Sequence, residues 1–254
     1  MIVERERHGR VEVLRINRPE ARNAVSPEVA HAMEAALDDI ETDDDAWAVV
    51  VTGTGDVFSA GADLKLVAQG RGNELATHRG GFGGLVNRDY PKPLIAAVNG
   101  PALAGGFELA LACDLVVAAD RARFGLPEVQ RGLFAAAGGL IRLPKRIALA
   151  LATEIALTGD PISAQRAFEV GLVNKVVPAE QVLDAALALA GRIAENAPVS
   201  VRNTLRMVHE ATELTEAEAW PRNYDLALEV FATKDAIEGA TAFAEKRPPR
   251  WTGS

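Results

Sequence analysis

The sequence predicts an α/β fold in which a buried, largely parallel sheet is layered with helices. The first observation behind this prediction is a set of three short apolar runs at 46–53, 93–100 and 114–120. Continuous apolar runs of this length are typical of strands that are covered on both faces. The second observation is that segments with helical periodicity lie between and after these runs. Strands that alternate with helices favour a layered architecture with right-handed crossovers.

The N-terminal part predicts a strand followed by an amphipathic helix. Residues 11–19, with the sequence VEVLRINRP, indicate a strand that ends at Asn17 and Pro19. Ser26 is a candidate N-cap, and Pro27 suits the first position of a helix. Apolar side chains then recur on one helical face, at Val29, Met33, Ala36, Leu37 and Ile40.

The C-terminal part is predicted to be mainly helical. After about residue 145, helical periodicity dominates in 181–197, 199–212 and 216–232. Helices that collect behind an α/β core indicate an appended lid or an oligomer interface. No repeat of fixed period and no low-complexity linker interrupts the chain.

Composition and charge exclude several classes of function. The net charge of −8 argues against a nucleic-acid partner, which usually requires a basic face. A single cysteine, Cys113, cannot form an intrachain disulfide, so a reducing compartment is expected. The charged N-terminus lacks the apolar core of a secretion signal, and no run is long and apolar enough to span a membrane. We therefore expect a cytoplasmic protein with no membrane partner.

Common cofactor and nucleophile motifs are missing from the sequence. The glycine-rich loops match neither the dinucleotide-binding nor the phosphate-loop pattern, and there is no G-x-S-x-G elbow and no H-E-x-x-H. The four histidines are scattered without ligand spacing. No metal site is expected.

Glu108 is the only charged residue between Pro93 and Cys113. It follows Gly105 and Gly106 in a segment that reads as the start of a helix, where free backbone N–H groups point outward. One interpretation is a helix-start glutamate that is favoured by the helix dipole. The other is a carboxyl group placed at a ligand site, at the end of a buried strand.

Two further features could share a pocket with Glu108. Glu128 follows Pro127 in a loop with apolar flanks, and either a structural cap or a second acid/base group fits that position. The turn 58–63, FSAGAD, follows a buried strand just as the Gly105 turn does. Two such turns could aim two N–H donors at one oxygen, as in an oxyanion hole, or could serve turn geometry alone.

Five segments together resemble the crotonase, or enoyl-CoA hydratase/isomerase, superfamily. They occur in the order of that family and extend from about residue 10 to about residue 250. The segments are NRPEARNA (17–24), FSAGADL (58–64), KPLIAAVNGPALAGGFELALACD (92–114), FGLPEVQRG (124–132) and AFAEKR (242–247).

The resemblance implies a fold and an assembly. The fold would be a spiral of β-β-α turns with a C-terminal helical region. We expect residues 1–195 to form the spiral core and residues 196–254 to form a helical trimerisation region. The family's usual assembly implies a homotrimer or a dimer of trimers.

The resemblance also implies roles for individual residues. The oxyanion-hole amides would be those of Ala62 and Gly105, and the acid/base pair would be Glu108 and Glu128. The acyl-CoA thioester would be the substrate, so no separate cofactor is expected. Its coenzyme A moiety and the groups next to it would be bound by Ala21, Arg22, Ala60, Gly61, Asp63, Leu64 and Gly106. Phe243 and Lys246 would reach the adenosine phosphate end of a coenzyme A bound to a neighbouring subunit.

The activity implied is reversible addition of water across the 2,3 double bond of an enoyl-CoA. Alternatives remain open. Segments such as GGLIRLPK are similar to the carnitinyl-CoA dehydratase branch, and an enoyl-CoA isomerase needs only one glutamate. Ala135 and Ala136 stand where many hydratases have proline and glycine, which leaves the acyl preference open. A non-catalytic or RNA-binding homologue is disfavoured by the acidic surface runs.

Overall fold

The computed structural model describes all residues from Met1 to Ser254. The strands are β1 (Val3–His8), β2 (Val11–Ile16), β3 (Ala48–Gly53), β4 (Ala76–Thr77), β5 (Gly81–Phe82), β6 (Leu94–Val98), β7 (Ala102–Leu103), β8 (Leu115–Ala119), β9 (Arg123–Gly125), β10 (Ile162–Ser163) and β11 (Lys175–Val177). The helices are α1 (Pro27–Glu41), α2 (Leu64–Ala68), α3 (Gly105–Ala112), α4 (Gly139–Arg146), α5 (Leu149–Thr158), α6 (Ala164–Glu169), α7 (Val182–Ala194), α8 (Pro198–Glu210), α9 (Glu216–Phe231) and α10 (Lys234–Glu245).

The main sheet has six strands in the order β1-β2-β3-β6-β8-β11. Only the β1–β2 pair is antiparallel, and every other neighbouring pair is parallel. The three apolar runs become β3, β6 and β8, which are almost entirely buried. Their lack of alternation is explained by burial on both faces.

A second, smaller layer follows the first and produces a spiral. β7 and β9 pair in parallel, and Ser59 forms an isolated parallel bridge to Ala102 in β7. Each turn of the spiral therefore runs through a strand of the main sheet, a short strand or bridge of the second layer, and a helix. The units are β3–Ser59–α2, β6–β7–α3 and β8–β9–α4. The predicted α/β spiral of β-β-α turns is confirmed.

The helices follow their sequence signals closely. α1 begins after Ser26, whose side chain accepts a hydrogen bond from the Val29 amide, and its apolar stripe is buried. The three predicted C-terminal helices correspond to α7, α8 and α9. The predicted division at residue 195 falls in the link between α7 and α8, and it stays a prediction. None of the helices is long and apolar enough to cross a lipid bilayer.

α3 lies in the interior, and this position explains its composition. Residues from Gly105 to Leu111 are all buried, so no face of the helix needs to be polar. The Phe107 ring packs against Phe124 of β9 with the ring centroids 5.5 Å apart. α3 therefore carries its single acidic side chain, Glu108, into the protein rather than toward bulk solvent.

Candidate active site

A cavity of about 450 Å³ opens at the carboxyl ends of the spiral strands. Its wall is mainly apolar, with contributions from α2, from the segment 72–82 and from the segment 127–137. Seven residues predicted from the sequence line it, namely Arg22, Ala60, Ala62, Leu64, Gly105, Glu108 and Glu128. Its size is within the range of small-molecule sites.

The two glycine turns that the sequence singled out meet at this cavity. Gly61 has a φ of +86°, and a Cβ added there would lie 2.6 Å from the Gly105 nitrogen. Gly106 packs just as closely, since an added Cβ would lie 2.0 Å from the Ser59 carbonyl oxygen. Only glycine permits this approach, so the small residues bring the 59–62 and 104–106 backbones together.

The amides of Ala62 and Gly105 have no acceptor within the chain. Neighbouring amides are paired: Asp63 N–H donates to the Val25 carbonyl at 3.0 Å, and Glu108 N–H donates to the Ala104 carbonyl at 3.1 Å. The N–H groups of Ala62 and Gly105 make no such bond, although both residues line the cavity. Two free donors on neighbouring turns can bind one oxygen atom.

Ala104, which precedes the helix, holds an unusual backbone conformation. Its φ of 52° and ψ of −131° are a combination that residues with a side chain rarely adopt. The conformation is held by the Ala104 amide, which donates to the Gly125 carbonyl at 3.0 Å, and by the Ala104 carbonyl, which accepts from the Phe107 amide at 2.8 Å. Ala104 thereby turns the chain sharply from β7 into α3 at the cavity wall.

Glu108 is held from one side by the backbone that begins α4. Its Oε1 accepts hydrogen bonds from the Ala137 amide at 2.7 Å and the Gly139 amide at 2.9 Å. Burial raises the pKa of Glu108 to about 7, the Gly139 hydrogen bond opposes that rise, and the charge of Glu128 adds to it. The Glu108 carboxyl is therefore fixed in orientation and can exchange a proton near neutral pH.

Glu128 is also buried, but one of its carboxyl oxygens has no hydrogen-bond partner. It lies in a 3-10 turn, Pro127–Arg131, and its Oε2 is buried without a hydrogen-bond partner. Desolvation raises its pKa, while its own backbone amide and Arg131 lower it. The cavity thus contains two carboxyl groups in unlike environments, one anchored by two amides and one with a free oxygen.

The remaining residues predicted to bind coenzyme A, apart from Phe243 and Lys246, are neighbours in sequence of cavity-lining residues. Arg22 and Ala60 are joined by a hydrogen bond from the Ala60 amide to the Arg22 carbonyl at 3.0 Å, and Ala21 precedes this pair in the 3-10 turn Pro19–Ala21. Asp63 caps α2 and forms an ion pair with Arg18 at 2.9 Å. Ala21, Gly61, Asp63 and Gly106 border the cavity-lining residues in sequence without lining the cavity themselves.

Phe243 and Lys246 lie outside this cavity, at the end of α10. The Phe243 side chain is 87% exposed and Lys246 is exposed at the C-cap. The prediction placed them against a neighbouring subunit's coenzyme A, and their role stays a prediction.

Several residues of the site were not anticipated. The amides of Ala137 and Gly139 that hold Glu108 are backbone groups, which no residue-type pattern reveals. Asn23 is fully buried and donates to the carbonyls of Thr54 and Val57, which ties the 18–24 turn to the end of β3. Arg142 in α4 contributes a positive charge that opposes the raised pKa of Glu108. Asn23 lies within the NRPEARNA motif, and Gly139 and Arg142 lie within the GGLIRLPK segment, but neither segment assigned them a role at the site.

Similarity to known proteins agrees with this geometry. The profile of the family described as enoyl-CoA hydratase/isomerase matches residues 6–254. The chain is 39% identical over 251 residues to a carnitinyl-CoA dehydratase of Proteus mirabilis, with 96% of each chain covered. It is 40% identical over 252 residues to the enoyl-CoA hydratase EchA19 of Mycobacterium tuberculosis, covering 97% of this chain and 94% of the relative.

A solved structure extends the similarity to the whole fold. The crystal structure of an enoyl-CoA hydratase from Mycobacterium tuberculosis H37Rv superposes with a TM-score of 0.95 at 46% identity, covering 100% of this chain and 99% of the other. The match includes every segment that borders the cavity. The chain belongs to the enoyl-CoA hydratase/isomerase family, the crotonase superfamily indicated by its motifs.

Proposed function

We propose that the protein is a hydro-lyase that adds water reversibly across the 2,3 double bond of an enoyl-CoA thioester. The observation that carries this proposal is the meeting of four groups at one apolar cavity. These groups are the two unpaired amides of Ala62 and Gly105 and the two dissimilar carboxyls of Glu108 and Glu128. Family membership supports the same reaction class.

The two amides are proposed as the oxyanion hole. When water adds to C3, negative charge moves through C2 to the thioester oxygen, and an enolate forms. Two N–H donors fixed by the backbone would stabilise that oxygen without reorganising. Removing one such donor typically costs about 3–4 kcal/mol in the transition state.

The two carboxyls are proposed as the acid/base pair. The Glu108 carboxylate would accept a proton from water as the water oxygen bonds to C3, and Glu128 in its protonated form would give a proton to C2. The free Oε2 of Glu128 supports the second role, because no protein group competes for that oxygen. The two hydrogen bonds that backbone amides donate to Glu108 support the first role, because they fix one carboxyl oxygen and leave the other to water. Passage of one proton from Glu108 to Glu128 restores the starting state.

Coenzyme A is proposed to bind along Ala21, Arg22, Ala60, Gly61, Asp63, Leu64 and Gly106, with its thioester at the two amides. No cofactor is part of this proposal, since coenzyme A is carried by the substrate. Oligomerisation is proposed through residues 196–254, as a trimer or a dimer of trimers. Support comes from large apolar side chains exposed on α9 and α10, namely Trp220, Tyr224, Leu228, Phe231, Ile237 and Phe243. Phe243 and Lys246 would complete a neighbouring subunit's coenzyme A site in that assembly.

Dehydration of a carnitinyl thioester is the second candidate. The similarity to proteins named carnitinyl-CoA dehydratase favours it. The cavity wall does not, because its only acidic side chains are the two proposed catalytic glutamates and its only aromatic ones are Phe82 and Phe134. A trimethylammonium group is usually held by a cage of several aromatic rings.

The experiment is the loss of conjugated enoyl-thioester absorbance with crotonyl-CoA. Wild type should consume the substrate, and Glu108→Gln and Glu128→Gln should each lower kcat by about 10²–10⁴-fold, the usual contribution of a positioned acid or base. Binding of the saturated analogue butyryl-CoA should persist in both variants. Near-normal turnover in both variants would refute the assignment of the two glutamates.

A further inference from the structure

The cavity wall beside Glu128 carries a guanidinium group, that of Arg131, which forms no direct ion pair. Arg131 is the last residue of the 3-10 turn that contains Glu128, and both residues line the cavity. Residues three apart eclipse each other in a 3-10 helix, so the two side chains rise from the same edge of the turn. Arg131 forms no direct ion pair, and its one hydrogen bond runs from Nη1 to the Pro127 carbonyl at 3.3 Å.

Arg131 is exposed to solvent, and the wall that continues from it is apolar. The next residues that line the cavity along this wall are Leu133, Phe134 and Ala136. The other cation of the cavity is Arg22, whose backbone carbonyl accepts a hydrogen bond from the Ala60 amide. The cavity wall next to Glu128 thus offers one positive charge, and the cavity has no negative charge apart from the two proposed catalytic carboxyls.

This arrangement suits an anionic group on the acyl chain. A guanidinium presents a planar fork of N–H donors that matches the two oxygens of a carboxylate. The same charge repels a cationic group such as trimethylammonium. A neutral alkyl end would contact the apolar wall but would gain no interaction with the guanidinium.

Resting on the function proposed above, we propose that Arg131 selects enoyl thioesters whose acyl chain ends in a carboxylate. The substrate class is the monothioesters of unsaturated dicarboxylic acids. In this role Arg131 determines specificity and takes no part in bond making. The acyl carboxylate meets the guanidinium while C2 and C3 lie beside the two glutamates.

Three thioesters that differ only in the substituent on C4 test this proposal. These are trans-glutaconyl-CoA with a carboxylate, trans-2-pentenoyl-CoA with a methyl group, and crotonobetainyl-CoA with a trimethylammonium group. In wild type, kcat/KM should be highest for the carboxylate and lowest for the trimethylammonium. Arg131→Met should lower the ratio of the carboxylate to the methyl substrate by about tenfold or more, the lower range for a hydrogen bond to a charged group.

The informative quantity is the kcat/KM of the carboxylate substrate divided by the kcat/KM of the methyl substrate. Removing Arg131 also changes the environment of Glu128, but Glu128 acts on both substrates, so its effect cancels. Arg123→Met is the matched control, because Arg123 is an exposed arginine on β9 that does not line the cavity. The control should keep the wild-type ratio.

Several outcomes would overturn the proposal. An unchanged ratio in Arg131→Met is one. An equal rise in KM for all three substrates is another, since Arg131 would then bind a phosphate of coenzyme A. Preference of wild type for crotonobetainyl-CoA is a third.

Measurements of thioester binding can test the role of Arg131 even if the proposed function is wrong. If wild type hydrates none of the three thioesters, the proposed function fails, and the dissociation constants of glutaryl-CoA and pentanoyl-CoA decide the role of Arg131. A preference for glutaryl-CoA that Arg131→Met removes supports the proposal. Equal affinities in wild type overturn it.

Discussion

Replacing Glu108 with glutamine should remove the loss of folding stability that wild type suffers when this buried carboxyl ionises. Burial raises the pKa of Glu108 from 4.5 to about 7, so the folded chain binds this proton more tightly than the unfolded chain does. The resulting stabilisation is complete below pH 4.5 and is lost as the pH rises through about 7. A difference of this size corresponds to about 3 kcal/mol in total and to about 2.5 kcal/mol between pH 5 and pH 8.

The measurement is the free energy of unfolding in urea at pH 5, 6, 7 and 8, at one protein concentration. The difference between Glu108→Gln and wild type should grow in favour of the variant by about 2–3 kcal/mol from pH 5 to pH 8. Glu154→Gln is the control, because Glu154 is exposed on α5 and its side chain forms no ion pair. The two curves of wild type and Glu108→Gln running parallel over this range would refute the reasoning.

Three further predictions concern activity. The acid limb of the kcat/KM profile for crotonyl-CoA should lie near pH 7, because below that pH the Glu108 carboxyl holds a proton and cannot accept one from water; constant activity from pH 5 to pH 8 would contradict this. Gly61→Ala should lower kcat by about 10²-fold or more, because its Cβ would push the two amide-bearing turns apart. Gly9 also has a positive φ, of +60°, but has open space around it, so Gly9→Ala should remain active in the same assay. Ala136→Gly removes a methyl group from the cavity wall, so the kcat/KM of octenoyl-CoA should rise relative to that of crotonyl-CoA; an unchanged ratio would indicate that this wall does not limit chain length.

The sequence predicted the buried parts of the fold because burial leaves a clear composition. β3, β6 and β8 are apolar throughout since both faces are covered, and α1 follows from its N-cap serine, Pro27 and apolar stripe. The strand β1 was missed for the opposite reason. It lies at the edge of the sheet, its residues from Arg5 to His8 are exposed, and its arginines pair with buried Glu12 on β2.

The sequence predicted the main residues of the candidate site but not the groups that hold them in place. Glu108, Glu128 and the glycine turns carry signals in their own segments. The cavity brings these groups together, and seven of the predicted site residues line it. The amides that hold Glu108 come from 29 and 31 residues further along the chain, so no local pattern reports them. Arg131 was also not anticipated, because nothing in the sequence distinguishes a guanidinium without a partner from one in an ion pair.

The backbone strain at Ala104 shows the same limit. A residue with a φ of 52° and a ψ of −131° at such a turn would ordinarily be glycine. Alanine gives no hint of that conformation in the sequence. It is imposed by the pairing of β7 with β9 and by the hydrogen bond from Ala104 to Gly125.

Incorporation of isotope from labelled water tests the central claim most directly. Crotonyl-CoA would be incubated with the enzyme in ¹⁸O-labelled D₂O, and the product would be analysed by mass spectrometry at early turnover. Addition of water predicts one ¹⁸O at C3 and one deuterium at C2, formed by wild type and lost in Glu108→Gln and Glu128→Gln. Deuterium exchange without ¹⁸O would contradict hydration and would indicate that the cavity only moves protons.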